Sequence, residues 1–144
     1  MEEQSYAKHA KFVPLFHYVL LPIALATLIG SVVNLIHSLD DHSRLYNASL
    51  ITAISFAMFF LAFFCRTFAL QAQDRAIRAE ENLRHYVLAG KLLDKRLSVK
   101  QIVGLRFASD DEFVGLAQRA ADESLSPDAI KRAVKAWKAD HDRL

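Results

Sequence analysis

Two stretches without a single Asp, Glu, Lys or Arg constrain this chain more than any other feature. One runs for 28 residues from Phe12 to Leu39, between Lys11 and Asp40, and the other for 21 from Leu45 to Cys65, between Arg44 and Arg66. An uncharged apolar run of about 18 residues or more reads as a membrane-spanning helix, since in lipid the backbone satisfies its polar groups only internally. At 1.5 Å per residue the second stretch reaches about 31 Å, the thickness of the hydrocarbon core. The first would reach about 42 Å, so it must tilt, kink or begin late. Pro14 and Pro22 provide the late start and the kink. The linker from Asp40 to Arg44 is short enough to return the chain as an antiparallel hairpin. A cleaved signal peptide is the rival reading, with Lys8 and Lys11 ahead of the apolar run and Ala24-Leu25-Ala26 as a small-x-small site. The run continues thirteen residues beyond Ala26, which favours a span.

Charge sets the expected orientation. Lys8 and Lys11 precede the first span, Arg44 alone lies between the two, and Arg66, Arg75, Arg78 and Arg84 follow the second. Both termini are therefore expected on the cytoplasmic side. The net charge of +2 is too small to point to nucleic acid, while 15 basic against 12 acidic residues after Cys65 suit an anionic lipid surface. Cys65 is the single cysteine, which rules out an intrachain disulfide and a thiolate metal cluster within one protomer. The chain has four glycines and lacks a Gly-rich phosphate loop, a nucleophile elbow, HExxH and CxxC. Neither an enzyme nor a cofactor is expected.

Between Leu45 and Ala89 there is neither Gly nor Pro, so the second span is expected to continue as one helix to Gly90, a C′ residue. On its latter half Ala69, Ala72, Ala76, Ala79, Leu83, Tyr86 and Gly90 recur at spacings of three and four, forming a narrow seam of mostly small residues on one face. Asp74 with Arg78 and Glu80 with Arg84 are placed to pair at i, i+4. Three short helices follow. Ser98 caps one through about Phe107. Ser109 and Glu112 form a capping box for the next, which carries Phe113, Leu116, Ala117, Ala120 and Ala121 on one face. Ser126-Pro127-Asp128 starts the last, with Ile130, Ala133, Val134 and Trp137 at helical spacing. Such pieces are too short to stand alone, so their apolar faces must cover one another, the seam or a second subunit. The expected architecture is all-α. It comprises a two-helix transmembrane hairpin over 1–65 (spans about 14–38 and 45–65), a cytoplasmic helical stalk over 66–90 and a small helical segment over 91–144.

The run from Arg66 to Asp94, RTFALQAQDRAIRAEENLRHYVLAGKLLD, with IVGLRFASDDEF, SPDAIKRAVKAWKADH and the opening HAKFVPLFHYVLLPIALATLIGSVVNL, resembles an uncharacterised bacterial family of small two-pass membrane proteins. The resemblance covers nearly the whole chain. It implies a bacterial inner-membrane setting and, as the family is a domain of unknown function, assigns no catalytic or binding residue.

Several residue groups are candidates for chemistry. His37, Asp41 and His42, beside Asn34 and Asp40, combine imidazole and carboxylate as a divalent transition metal would require, yet a helix end entering a wet loop explains them as well. His17 lies about 30 Å from His37 along a helix, too far for one chain to bring both to one metal. Either would serve singly as an axial haem ligand. Thr27, Ser31, Asn34, Ser49 and Thr52 give the spans weakly polar surfaces, with Ala26 and Gly30 as a small-xxx-small pair. The spans hold no charged residue for ion coupling. Lys131, Lys135 and Lys138 would share one face of the last helix and could meet lipid headgroups. The expected function is that of a non-catalytic membrane protein, an oligomeric scaffold or an accessory subunit of a membrane complex, with the lipid bilayer and protein as partners. The alternatives are an oligomeric channel lined by Thr27, Ser31, Asn34, Ser49 and Thr52 and, more weakly, a metal- or haem-binding subunit.

Overall fold

The protein is described here from a computed structural model, which covers Tyr6 and residues 13–140. Lys8 and Lys11, used above for orientation, lie outside the described residues. All regular elements in the described residues are helical, and two continuous helical stretches, Leu15–His37 and His42–Ala89, are long and apolar enough to cross a membrane. A π-helical segment, Leu15–Leu20, leads directly into α1, Leu21–His37, and α2 runs from His42 to Ala89. Helices α3 (Val99–Leu105), α4 (Asp110–Asp122) and α5 (Pro127–Ala133) complete the chain. The described residues divide into two compact units, 13–69 and 70–140 with Tyr6. Helix α2 belongs in part to each.

The first unit is a helical hairpin with a polar seam. Pro22 has no N–H to offer the carbonyl of Tyr18, and the N–H of Leu21 reaches back five residues to Phe16 O; the wider π turn absorbs the missing bond. At the other end Ser38 Oγ donates to Asn34 O at 2.8 Å, satisfying a carbonyl that the helix leaves open. Asp41 then starts α2 by accepting from Ser43 N at 3.0 Å and Ser43 Oγ at 2.7 Å. The most buried residues of the hairpin are small and weakly polar: Ser31, Ser38, Ala48, Thr52 and Ser55. Thr52 Oγ1 lies 3.0 Å from Ser31 O and 2.9 Å from Ala48 O, so its one proton is shared between the two helices. The large side chains, among them Ile29, Ile54, Phe60 and Phe63, are exposed. Ala26 and Gly30 are exposed as well and do not pack inside this hairpin. The 3.0 Å bond from Thr52 brings the helices together along the Ser31 face instead.

The second unit has a conventional core. Gly90, at φ +69°, ends α2 in the left-handed region, its N–H bonded to Tyr86 O at 2.8 Å. Ser98 and Gln101 form a full capping box on α3, and Ser126 Oγ accepts from Ala129 N at 3.1 Å at the start of α5. The buried face of α4 is the expected one, Phe113, Leu116, Ala117, Ala120 and Ala121. These residues meet Leu93, Leu97, Ile102, Leu105, Ile130 and Val134 in one cluster.

Two expectations fail here, and one physical cause covers both. Helix α5 stops at Ala133, Val134 is extended, and Trp137 joins Ala108 in an isolated antiparallel bridge. Lys138 N donates to Phe107 O at 2.8 Å, Ser109 N donates to Ala136 O at 3.1 Å, and the Trp137 ring lies 4.8 Å from that of Phe107. The Glu112 carboxylate accepts from the N–H groups of Lys135 and Ala136 at 3.1–3.2 Å. Glu112 therefore holds the chain after α5 rather than completing a box with Ser109, whose side chain makes no cap bond. Burying the indole on Phe107 and satisfying these amides outweighs two more turns of a short exposed helix.

Helices α3 and α5 approach closely at Gly104, where an added Cβ would lie 3.2 Å from Pro127 O and 3.4 Å from Ile130 Cγ2. At Gly104 this close approach to backbone offsets the gain in helix propensity, so Gly104→Ala is expected to leave the unit at least about 1 kcal/mol less stable than Gly115→Ala does. Gly115→Ala, at a site in α4 with nothing within 4 Å, should stabilise it by up to about 1 kcal/mol. Unfolding of the full chain in mild detergent, followed by Trp137 fluorescence, would measure both, and equal effects of the two substitutions would contradict the close approach.

Candidate interaction surface

The end of α2 presents two chemically different faces. One is closed by the C-terminal helices: Ile77, Glu81 and His85 are each at least nine-tenths buried. Arg84, beside them, donates to Glu81 Oε2 at 3.0 Å, to Asp110 Oδ1 from both Nε and Nη2 at 2.6–2.7 Å, and to Ala108 O at 2.7 Å. Its guanidinium also lies 4.3 Å from the centre of the Phe113 ring. This contact supplies a cation–π interaction and uses most of the donor fork. Hydrogen bonding from Arg84 holds the Asp110 carboxyl below the usual carboxylate range. The expected partner of Arg84, Glu80, is displaced by Glu81 and Asp110, because the chain after α3 delivers Asp110 and Ala108 O to that side.

The connection after α2 is secured on the same side. His85 Nδ1 lies 2.6 Å from Lys91 O and therefore carries the proton there, and its ring meets Phe113 edge-on. Asn82 Oδ1 accepts from Leu93 N at 3.3 Å. Farther on, Arg96 bonds Asp94 through two nitrogens and Asp122 through one, and its hydrogen bonds draw the Asp94 carboxyl down to about 2.

The other face of α2 is open. Ala69 is half-buried, Ala72, Ala76 and Ala79 are exposed, and Leu83 and Tyr86 are 64% and 55% exposed. Val87 at 74% and, past the helix end, Leu92 at 64% are also exposed; neither belongs to the seam expected from spacing. Val87 follows Leu83 by four residues, the one signal that would have included it. The C-terminal helices cover one another and the Ile77–His85 side, leaving these apolar residues uncovered among the described residues.

The remaining candidates do not converge. Helix α1 ends at His37, so His37 and Asp41 do not share a helix, and Asp41 is engaged by Ser43 and by Arg44 at 3.1 Å. No group of three or more His, Cys, Asp or Glu among the described residues is placed to hold a metal ion. His17 Nδ1 lies against the main chain of Val13, 2.9 Å from its oxygen. Of the five residues taken as a channel lining, Ser31 and Thr52 are buried between the helices, while Thr27, Asn34 and Ser49 are exposed. The hydroxyls of Ser31 and Ser49 bond to Leu28 O and Tyr46 O. Lys131 lies in α5, with its Nζ 6.0 Å from the Phe107 ring, whereas Lys135 and Lys138 fall beyond the helix. The three lysines thus share no helix face.

The model of a family of unknown function, DUF6526, matches residues 1–144. The chain belongs to this family. The DUF6526 match runs through both compact units. No curated protein and no solved structure matches the chain.

Proposed function

We propose that this protein is a non-catalytic two-pass subunit of the bacterial inner membrane that assembles, with further copies or within a larger membrane complex, through the open face of α2. The observation that carries the reading is the exposed apolar group Leu83, Tyr86 and Val87 on a helix whose opposite face is fully engaged. Contiguous apolar surface outside a membrane marks an interaction site. The membrane setting is supported by the inverted hairpin, with small polar residues inside and large apolar ones outside, which suits lipid and not water. Cytoplasmic termini follow from the arginines after the second span, against Arg44 alone in the turn.

The test is the state of the full chain in mild detergent, by light scattering, together with pull-downs from native membranes. The wild type should be an oligomer or carry a partner. Leu83→Glu with Val87→Glu should release it while leaving Trp137 fluorescence unchanged, since both side chains point away from the core. A monomeric wild type that recovers no partner ends the proposal.

A further inference from the structure

The hairpin has a second feature that assembly does not use. Away from the Ser31–Thr52 contact, a groove of about 550 Å³ opens between the π-helical segment and the start of α1 on one side and the middle of α2 on the other. Phe16 and Ile23 line one wall, Ile54, Met58 and Ala62 the other, and Arg66 stands at one end. The lining is almost wholly apolar, and Arg66 is its single charge. The guanidinium lies 5.7 Å from the centre of the Phe16 ring. Among the described residues, no carboxylate lies within ion-pairing distance of it.

We infer that this groove holds one acyl chain of an anionic phospholipid whose phosphate is bound by Arg66. Length and charge decide between the occupants. From Arg66 to Ile54 the α2 wall covers about 18 Å at 1.5 Å per residue, close to the 15 Å or so of hydrocarbon in one leaflet. The groove is therefore as deep as a single acyl chain of the leaflet that Arg66 faces. The guanidinium at its mouth needs an anion, and phosphate is the anion found at that depth, matched to the planar donor fork of Arg. A second copy of the hairpin is a poorer occupant, because neither apolar stretch contains an Asp or Glu to meet Arg66. The phenyl ring of Phe16 beneath the guanidinium keeps the charge at the groove mouth while the apolar walls receive the chain.

The inference rests on the membrane-spanning reading, and the experiment separates the two. Full-length protein, delipidated in mild detergent, is titrated with phosphatidylglycerol or with diacylglycerol of the same acyl chains, and bound lipid is counted by native mass spectrometry. The wild type should bind one phosphatidylglycerol per chain about tenfold more tightly than diacylglycerol, the gain expected of a charge-assisted phosphate contact. Arg66→Gln should remove that preference, and Ala62→Trp, which fills the groove, should weaken both lipids. Arg75→Gln, outside the groove, should change neither. Equal binding of phosphatidylglycerol by wild type and Arg66→Gln would overturn the inference. So would an Ala62→Trp variant that changed oligomeric state with lipid binding intact, which would place protein in the groove. Alkaline carbonate extraction of the same variants tests the membrane reading by itself. A chain retained in the membrane that binds no lipid refutes the lipid site alone, whereas a chain released by carbonate refutes both.

Discussion

Phe107→Ala is expected to lower the stability of the C-terminal unit by about 3–5 kcal/mol and to shift the emission of Trp137 to the red. Phe107 is fully buried, its ring lies beneath the indole of Trp137, and its carbonyl accepts from Lys138 N. Removing the ring deletes apolar contacts and leaves a cavity that the short helices around it fill only in part. Against a typical total of about 5–15 kcal/mol for a folded domain, this loss would leave the unit marginal at ambient temperature. As the chain contains one Trp, the fluorescence reports this site alone. Denaturant titration in mild detergent would give both quantities. An emission maximum unchanged from wild type would show that Trp137 does not rest on Phe107.

Arg84→Met is the second large effect, expected at about 3–5 kcal/mol, the range for breaking a buried ion pair from one side. The side chains of Arg84 and Glu81 are 12% and 10% exposed, so Met at position 84 strands the Glu81 carboxylate where water hardly reaches it. Asp110, whose side chain is 63% exposed, is resolvated and contributes little of the loss. The double variant Arg84→Met with Glu81→Leu should therefore recover most of the stability, because an apolar pair of similar size replaces a buried charge pair at little net cost. The same titration read through Trp137 checks the cycle. A single variant within about 0.5 kcal/mol of wild type, as for an ordinary surface change, would show that this cluster does not hold the C-terminal helices to α2.

Both effects lie on contacts that spacing along the chain did not reveal. Arg84 was expected to pair with Glu80, one turn away, and instead reaches Asp110, 26 residues on, and Ala108 O. Spacing pairs Glu112 with Ser109, three residues back, yet it binds amides 23 and 24 residues ahead. The local alternative was chemically sound in each case. A charged group selects the partners that the fold delivers at hydrogen-bonding distance, and a local pattern does not contain that information. The same holds for the open face of α2. Period alone identifies a stripe through Ala72, Ala76, Ala79, Leu83 and Tyr86, but it does not show that the C-terminal helices choose the Ile77–His85 side and leave Val87 and Leu92 uncovered.

By itself the sequence determined the elements and most of their ends: two uncharged apolar stretches that become helices, a turn at Asp41, a helix running to Gly90, and three short helices, two of them capped by Ser98 and Ser126. These are consequences of backbone hydrogen bonding, of φ preference and of side chains within four residues of one another, all written locally. Tertiary structure alone decided that α5 stops at Ala133, that Lys131, Lys135 and Lys138 separate, that Ser31 and not Gly30 faces α2, and that a groove opens beside Arg66. Each of those outcomes depends on which distant groups compete for one surface. Packing and desolvation settle that competition only once the helices are in place.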